Sequence, residues 1–119
     1  MNKVGEISQR IIDILKLTIE AGTPIFIGES NISHMIQSHP RDYQVYGQQI
    51  PIIIERPDYV GVNPSDSSLE YVKVFTTENE SVKVAVRVSQ GGVFYARTIY
   101  ARDIEKMTRF IDKGYLLKY

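Results

Sequence analysis

Residues 69–100 read LEYVKVFTTENESVKVAVRVSQGGVFYARTIY, and this stretch decides the fold class. Its hydrophobic period is two. Val82, Val84, Val86 and Val88 alternate with Lys83, Ala85, Arg87 and Ser89, as in a strand with one buried face. Residues 69–76 and 93–100 alternate in the same way. The links at 77–80 and 90–92 are too short for anything but antiparallel hairpins. Three consecutive strands in a meander follow.

Working outward, residues 102–113 carry Ile104, Met107, Thr108 and Ile111 at helical spacing and end at Gly114, which predicts a closing helix. On the other side, residues 6–21 set Ile7, Ile11, Ile14, Leu15, Thr18 and Ile19 three and four apart, which predicts an amphipathic helix broken at Gly22 and Pro24. Residues 24–28 read as a brief strand or a buried extended link. A second helix is expected from Asn31 to about His39, with Ser30 or Glu29 as its cap. Residues 42–46 suit a helical turn. The β-branched run at 50–56 favours a strand by local propensity, and 57–61 suit a turn entering an extended piece. The expected fold is α+β: N-terminal helices over about residues 1–57 packed on a small antiparallel meander, then a C-terminal helix, all in one domain of 119 residues. With no alternating βαβ units, a Rossmann-type core is excluded.

Composition narrows the chemistry. The chain has no cysteine, so a disulfide scaffold, a thiolate metal site and a cysteine nucleophile are all excluded. No apolar run approaches the roughly 20 residues of a membrane span, and the start lacks the layout of a secretory signal. A cytoplasmic protein with no membrane association is the expectation. Fourteen basic and fourteen acidic residues cancel, which by itself counts against nucleic acid. The balance is uneven, however. Residues 1–68 hold five Lys/Arg and eight Asp/Glu, and residues 69–119 hold nine and six, so the halves carry −3 and +3.

The strand faces show where the positive half presents its charge. If the all-valine face of 81–89 lies on the core, Lys83 and Arg87 point outward. Assigning Val72 and Val74 to the core leaves Tyr71 and Lys73 outside, and the outward face of the third strand carries Tyr95 and Arg97. Glu70 falls on the other side, so the open face has cations and aromatics and no acid. Cations neutralise phosphates and tyrosines stack on bases, so this face suits RNA, with Tyr71, Lys83 and Tyr95 as contacts. The plainer reading is that Lys, Arg and Tyr simply fit half-exposed strand positions.

His34 and His39 lie five residues apart. On a regular helix they fall on different faces, so the two cannot both reach one site, and no third ligand is at hand for a metal. No metal and no cofactor are expected. A histidine brought against Lys73, Arg87 and Arg97 would have the parts for metal-free RNA cleavage. The imidazole would take the 2′-hydroxyl proton, and the cations would steady the charge on the phosphate. Without such a neighbour, His39 is a cation suiting a helix C-terminus and His34 an ordinary surface residue.

Several short motifs in one order resemble the phage-associated barnase–EndoU–colicin–RelE-like (BECR) nucleases. They are Ile32–Ser33–His34–Met35, Ser38–His39–Pro40 with Tyr43, and Pro57–Asp58–Tyr59–Val60–Gly61. Leu69–Glu70–Tyr71–Val72–Lys73, Val84–Ala85–Val86–Arg87–Val88–Ser89 and Ala96–Arg97–Thr98–Ile99–Tyr100 complete the set. The resemblance runs from about Ile27 to Gly114. It implies helices on an antiparallel sheet, a helix rather than a strand at 50–56, and a metal-independent endoribonuclease leaving a 2′,3′-cyclic phosphate. On the matching positions it implies His34 or His39 as general base or acid, and Lys73, Arg87 and Arg97 as phosphate cations. Thr98 and Tyr100 would be hydroxyl donors, although strict alternation sets both on the opposite face from Arg97; a bulge would remove that conflict. It further implies a phage-encoded effector or toxin acting on RNA, with an inhibitory protein as partner. A non-catalytic RNA-binding or protein-interaction module of the same fold is the alternative.

Overall fold

A computed structural model describes the whole chain, residues 1–119. The alternating stretch forms the middle of its sheet: β4 (Leu69–Phe75), β5 (Glu80–Val88) and β6 (Phe94–Asp103), paired antiparallel in sequence. The N-terminal part supplies β1 (Asn2–Glu6), α1 (Gln9–Leu15), β2 (Pro24–Ile27), α2 (Glu29–Ser38) and α3 (Pro40–Tyr46). A 3-10 turn over Gly47–Gln49 leads to α4 (Ile50–Glu55) and β3 (Tyr59–Val62), and the chain closes with α5 (Ile104–Asp112) and β7 (Leu117–Lys118). The sheet order is β1-β2-β6-β5-β4-β3-β7.

The α+β order is as expected, but the sheet is not a small antiparallel meander. It has seven strands and is mixed, because β2 pairs parallel with β6 through Ile25↔Phe94 and Phe26↔Tyr95. Two of the strands lie in the N-terminal part: β2 falls where a brief strand or extended link was expected, and β1 was not anticipated. β1 has little pattern of its own, and its extended form follows from antiparallel pairing with β2. The first helix is correspondingly short. The Ile11 N–H donates to the Ser8 hydroxyl at 3.2 Å to start it, and Lys16 in the left-handed region (φ 57°) ends it.

At residues 50–55 tertiary context overrides propensity. Ile50, Ile53 and Ile54 are buried at helical spacing, and Pro51 sits in the first turn, where its missing N–H costs nothing. The helix implied by the family resemblance is the one formed.

One strand faces the other way from the alternation reading. Leu69 and Tyr71 are buried in the main core, with Phe75 packed against it. Val72 instead joins Met107 and Leu116 in a second cluster, with Val74 against it, on the opposite face of the sheet. β4 is apolar on both sides because both its faces are covered, so its pattern alone could not choose between them. Two consequences correct the earlier picture. Tyr71 is 1% exposed and takes no part in an open face, and Glu70 shares the polar face with Lys83.

Candidate active site

The site is built where β2 stops. β2 pairs with β6 only at Phe94 and Tyr95, so the rest of β6 has no strand on that side, and α2 packs along it instead. Met35, fully buried, and Ile32 anchor the helix to the core. The Gly28 N–H donates to Asn31 Oδ1 at 2.8 Å and fixes the first turn. Asp42 on α3 accepts from the Ala101 N–H at 3.1 Å, satisfying an edge amide that no strand reaches. Ser30, Asn31 and His34 are thereby turned toward the polar face of the sheet.

A bulge sets the opposite wall. Ala85 pairs with Thr98 and Val86 with Ala96, which leaves Arg97 as an extra residue in β6. Ala96 and Ile99 remain fully buried on either side. Arg97 and Thr98 therefore both face the same cavity, and the alternation conflict disappears.

The cavity holds about 390 Å³ and is lined by nine residues, of which only Ala85 is apolar. Ser30, Asn31 and His34 come from α2, and Asp66 and Ser68 from the loop between β3 and β4. Arg87 comes from β5, and Arg97 and Thr98 from β6. His34 and Arg97 have no hydrogen bond or ion pair to another side chain, whereas Arg87 meets Asp66 Oδ2 at 3.4 Å. The Ser68 amide donates to Asp66 Oδ1 at 2.9 Å and, with Arg87 beyond it, holds that carboxyl below the usual carboxylate range. The loop carrying Asp66 is closed on itself. The Asn63 amide donates to the Ser68 carbonyl at 2.9 Å, the Ser65 amide donates to Asn63 Oδ1 at 2.8 Å, and Ser67 takes a positive φ of 63°.

The remaining expected residues lie elsewhere. His39 packs edge-on against Tyr100, ring centroids 4.9 Å apart, with Nδ1 3.8 Å from Asp42 Oδ2. Lys73 donates to the Arg56 carbonyl at 2.8 Å, at the α4 side of the sheet and away from the cleft. Lys83 is paired with Glu70 at 3.0 Å and, with Tyr100, lines a neighbouring cavity. Tyr95 follows Arg87 in register on the same face, and its hydroxyl donates to Met1 Sδ at 3.3 Å. Burial raises the Tyr71 phenol well above its ordinary range, and its oxygen has no partner. Of the expected catalytic set, His34, Arg87, Arg97 and Thr98 meet in one cleft, and His39, Lys73 and Tyr100 do not join them. The face is also less purely cationic than the strand pattern suggested, since Glu70 and Asp66 each neutralise a cation.

Asp66, Ser68, Ser30 and Asn31 line the cleft without having been singled out from sequence. The stretch Asn63–Pro64–Ser65–Asp66–Ser67–Ser68 carries a clear turn composition, but nothing in it says over which strand the turn folds. No group of three or more His, Cys, Asp or Glu side chains comes together in a way that could hold a metal ion. No helix is long and apolar enough to cross a membrane.

A family model described as phage-Barnase-EndoU-ColicinE5/D-RelE like nuclease3 matches residues 2–109. The match includes the first helix, which lay outside the motifs read from the sequence, and reaches into α5. No curated protein and no solved structure matches the chain.

Proposed function

This chain belongs to the phage-Barnase-EndoU-ColicinE5/D-RelE like nuclease family, and from that premise we propose that it is an endoribonuclease working without a metal at the cleft between α2 and the bulge of β6. One observation carries the reading. An unpaired Arg97, thrust into the cleft by the bulge, shares it with an unpaired His34. A cation without an internal partner is poised for an anion from outside, and the adjacent imidazole supplies the proton transfer.

In this mechanism the scissile phosphate lies against Arg97 and Arg87. His34 takes the proton of the 2′-hydroxyl as its oxygen attacks phosphorus. The bond from phosphorus to the 5′-oxygen breaks, a 2′,3′-cyclic phosphate forms, and the 5′-oxygen leaves with a proton from solvent. Arg97 and Arg87 stabilise the charge that grows on the phosphoryl oxygens, and the Thr98 hydroxyl donates to one of them. His39, Lys73 and Tyr100 have no direct part in the chemistry. Tyr95, Lys83 and Tyr100 extend the face along which RNA runs, and Tyr71 is withdrawn from it. The same reading makes the protein a phage-encoded effector or toxin acting on RNA in the cytoplasm, held in check by an inhibitory protein.

Incubating the purified chain with single-stranded RNA in EDTA tests this. Cleavage with a cyclic phosphate product is expected, reduced about 10²- to 10⁴-fold by His34→Ala, reduced strongly by Arg97→Ala, and changed only a few-fold by His39→Ala. Loss of cleavage in EDTA would remove the metal-free mechanism. Binding of RNA with no cleavage under any condition would leave the non-catalytic module as the better account.

A further inference from the structure

We propose that a second cavity on the same sheet face is a nucleobase subsite, receiving the base next to the scissile phosphate; the inference rests on the nuclease reading of the cleft. The cavity holds about 330 Å³, at the small end of the roughly 300–1,000 Å³ typical of small-molecule sites. Seven of its thirteen lining residues are hydrophobic, against one of nine in the cleft. The two spaces divide the work that a nucleotide requires: both carry two cations and one carboxylate, but only the second adds aromatic rings and an apolar lining.

Continuity links them. Ala85 lines the cleft, and its register partner in β4, Glu70, lines the second cavity. Thr98 and Tyr100, on the same side of β6, likewise belong to one space each. Lys83 and Arg87 are four residues apart along β5, about 13 Å at the rise of a strand. A chain with its phosphate at Arg87 and Arg97 thus needs to extend only through the adjoining nucleotide to bring a base toward Lys83.

The walls fit a flat heteroaromatic ring. Tyr100 and Phe110 flank the cavity, and the Arg102 guanidinium bridges them, 4.6 Å from one ring centroid and 5.1 Å from the other. Rings and guanidinium planes are surfaces on which any base stacks. Hydrogen-bonding groups beyond Arg102 gather around Glu70. Glu70 Oε2 accepts from Lys83 Nζ at 3.0 Å and from Asn63 Nδ2 at 3.5 Å, whereas Oε1 has no partner in the chain. A free acceptor beside an ammonium donor matches the mixed donor and acceptor edge of a base. A lipid tail would leave Oε1 without a partner and press hydrocarbon against the Lys83–Glu70 pair, and a bare phosphate would make no use of the rings.

The test uses 2′-deoxy dinucleotide monophosphates, which lack the attacking hydroxyl, carrying either a base or an abasic residue on the side of the cavity. Binding is followed through the methyl resonances of Met107 and Leu116, and cleavage of an unstructured RNA is measured in parallel. The base-bearing ligands should bind about tenfold more tightly than the abasic ones and should shift both methyl signals. Val62→Trp, at a half-exposed position on the rim, should erase the difference by filling the mouth, and Glu70→Gln should reduce it. Cleavage with equal affinity for base and abasic ligands and unmoved methyl signals overturns the subsite and leaves the nuclease reading intact. Base-dependent shifts without cleavage support the subsite and overturn the nuclease. Neither response overturns both. The comparison of base with abasic ligand needs only the native chain, so misfolding of either variant does not remove it.

Discussion

Deleting Arg97 separates the fold of β6 from its chemistry. The native order Ala96, Arg97, Thr98, Ile99, Tyr100 alternates correctly only if Arg97 is skipped: Ala96 and Ile99 are fully buried, and Thr98 pairs with Ala85. Without Arg97 the strand reads core, open, core, open with no extra residue, and the ladder with β5 closes from Val84↔Ile99 through Val86↔Ala96. Restoring a regular ladder contributes on the order of one net hydrogen bond, about 1 kcal/mol, and losing the native fit along α2 offsets it. The variant should therefore differ from the native chain by no more than about 1 kcal/mol in stability. Its activity should fall about 10²- to 10³-fold, or about 2.7–4 kcal/mol of transition-state stabilisation, because an electrostatic donor is gone from the cleft.

Urea denaturation followed by circular dichroism measures the first quantity, and RNA cleavage measures the second. Arg97→Ala keeps the bulge and removes the cation, so it should match the deletion in activity. Deleting Ile99 removes a fully buried side chain and should cost about 2–5 kcal/mol. Two results refute the reasoning. If deleting Arg97 costs more than about 3 kcal/mol while Arg97→Ala costs little, the bulge itself holds the sheet together. If the deleted form folds and cleaves within about threefold of native, Arg97 is not the working cation.

Asp66→Asn keeps an oxygen for the Ser68 amide and removes the charge beside Arg87. It should change stability by less than about 1 kcal/mol and tighten low-salt binding of a 2′-deoxy oligonucleotide about two- to fivefold, read by fluorescence anisotropy; weaker binding would make Asp66 the residue that positions Arg87. Gly61→Ala drives a Cβ into the Tyr115 carbonyl, a backbone atom with little room to move, and should lower the melting temperature far more than Val62→Ala beside it. At low pH the Glu80 carboxyl, held below its usual range chiefly by the Arg41 guanidinium, contributes stability that is complete above the ordinary carboxylate range and is lost as pH falls through the lowered value; Glu80→Gln should flatten that part of the stability curve. At high pH the sign reverses. Burial, with the bond to Glu80, pushes Tyr46 up to about 12, so stability should fall between pH 10 and 12 by at most about 1.4 kcal/mol per pH unit for this group, and Tyr46→Phe should remove its share.

The legible parts of this fold are those in which one face is buried and the other wet. β5 has such a pattern: Val82, Val84 and Val86 are buried and its cations point away from them as the alternation says, while Val88 at the strand's end is exposed. β4 does not, because α5 covers the side opposite the main core, so Tyr71 and Val72 are both apolar and both buried. β1 and α4 are decided by partners distant in sequence, the first by β2 and the second by the core that receives Ile50, Ile53 and Ile54. In the cleft, His34, Arg87 and Arg97 could be nominated by residue type, and Thr98 by the family motif it matches. Choosing His34 over His39 required knowing which flank of α2 turns to the sheet. Asp66 was out of reach because a loop's composition does not reveal its destination.

A net charge of zero, which counted against nucleic acid at first sight, looks different once the partners are known. Lys83 is neutralised by Glu70 and Arg87 by Asp66, so the acidic residues on this face answer a particular cation rather than diluting a general field. Such pairs contribute little long-range attraction, and they screen one another within a Debye length of about 8 Å at physiological salt. Arg97 stands outside the scheme, unpaired and displaced into the cleft by one inserted residue. Arg102, in the neighbouring cavity, likewise has no carboxylate partner, so the field available to a polyanion is local to these two points. A protein arranged in this way should associate weakly with RNA in general and hold one phosphate firmly, which suits cutting a chain at a position better than coating it.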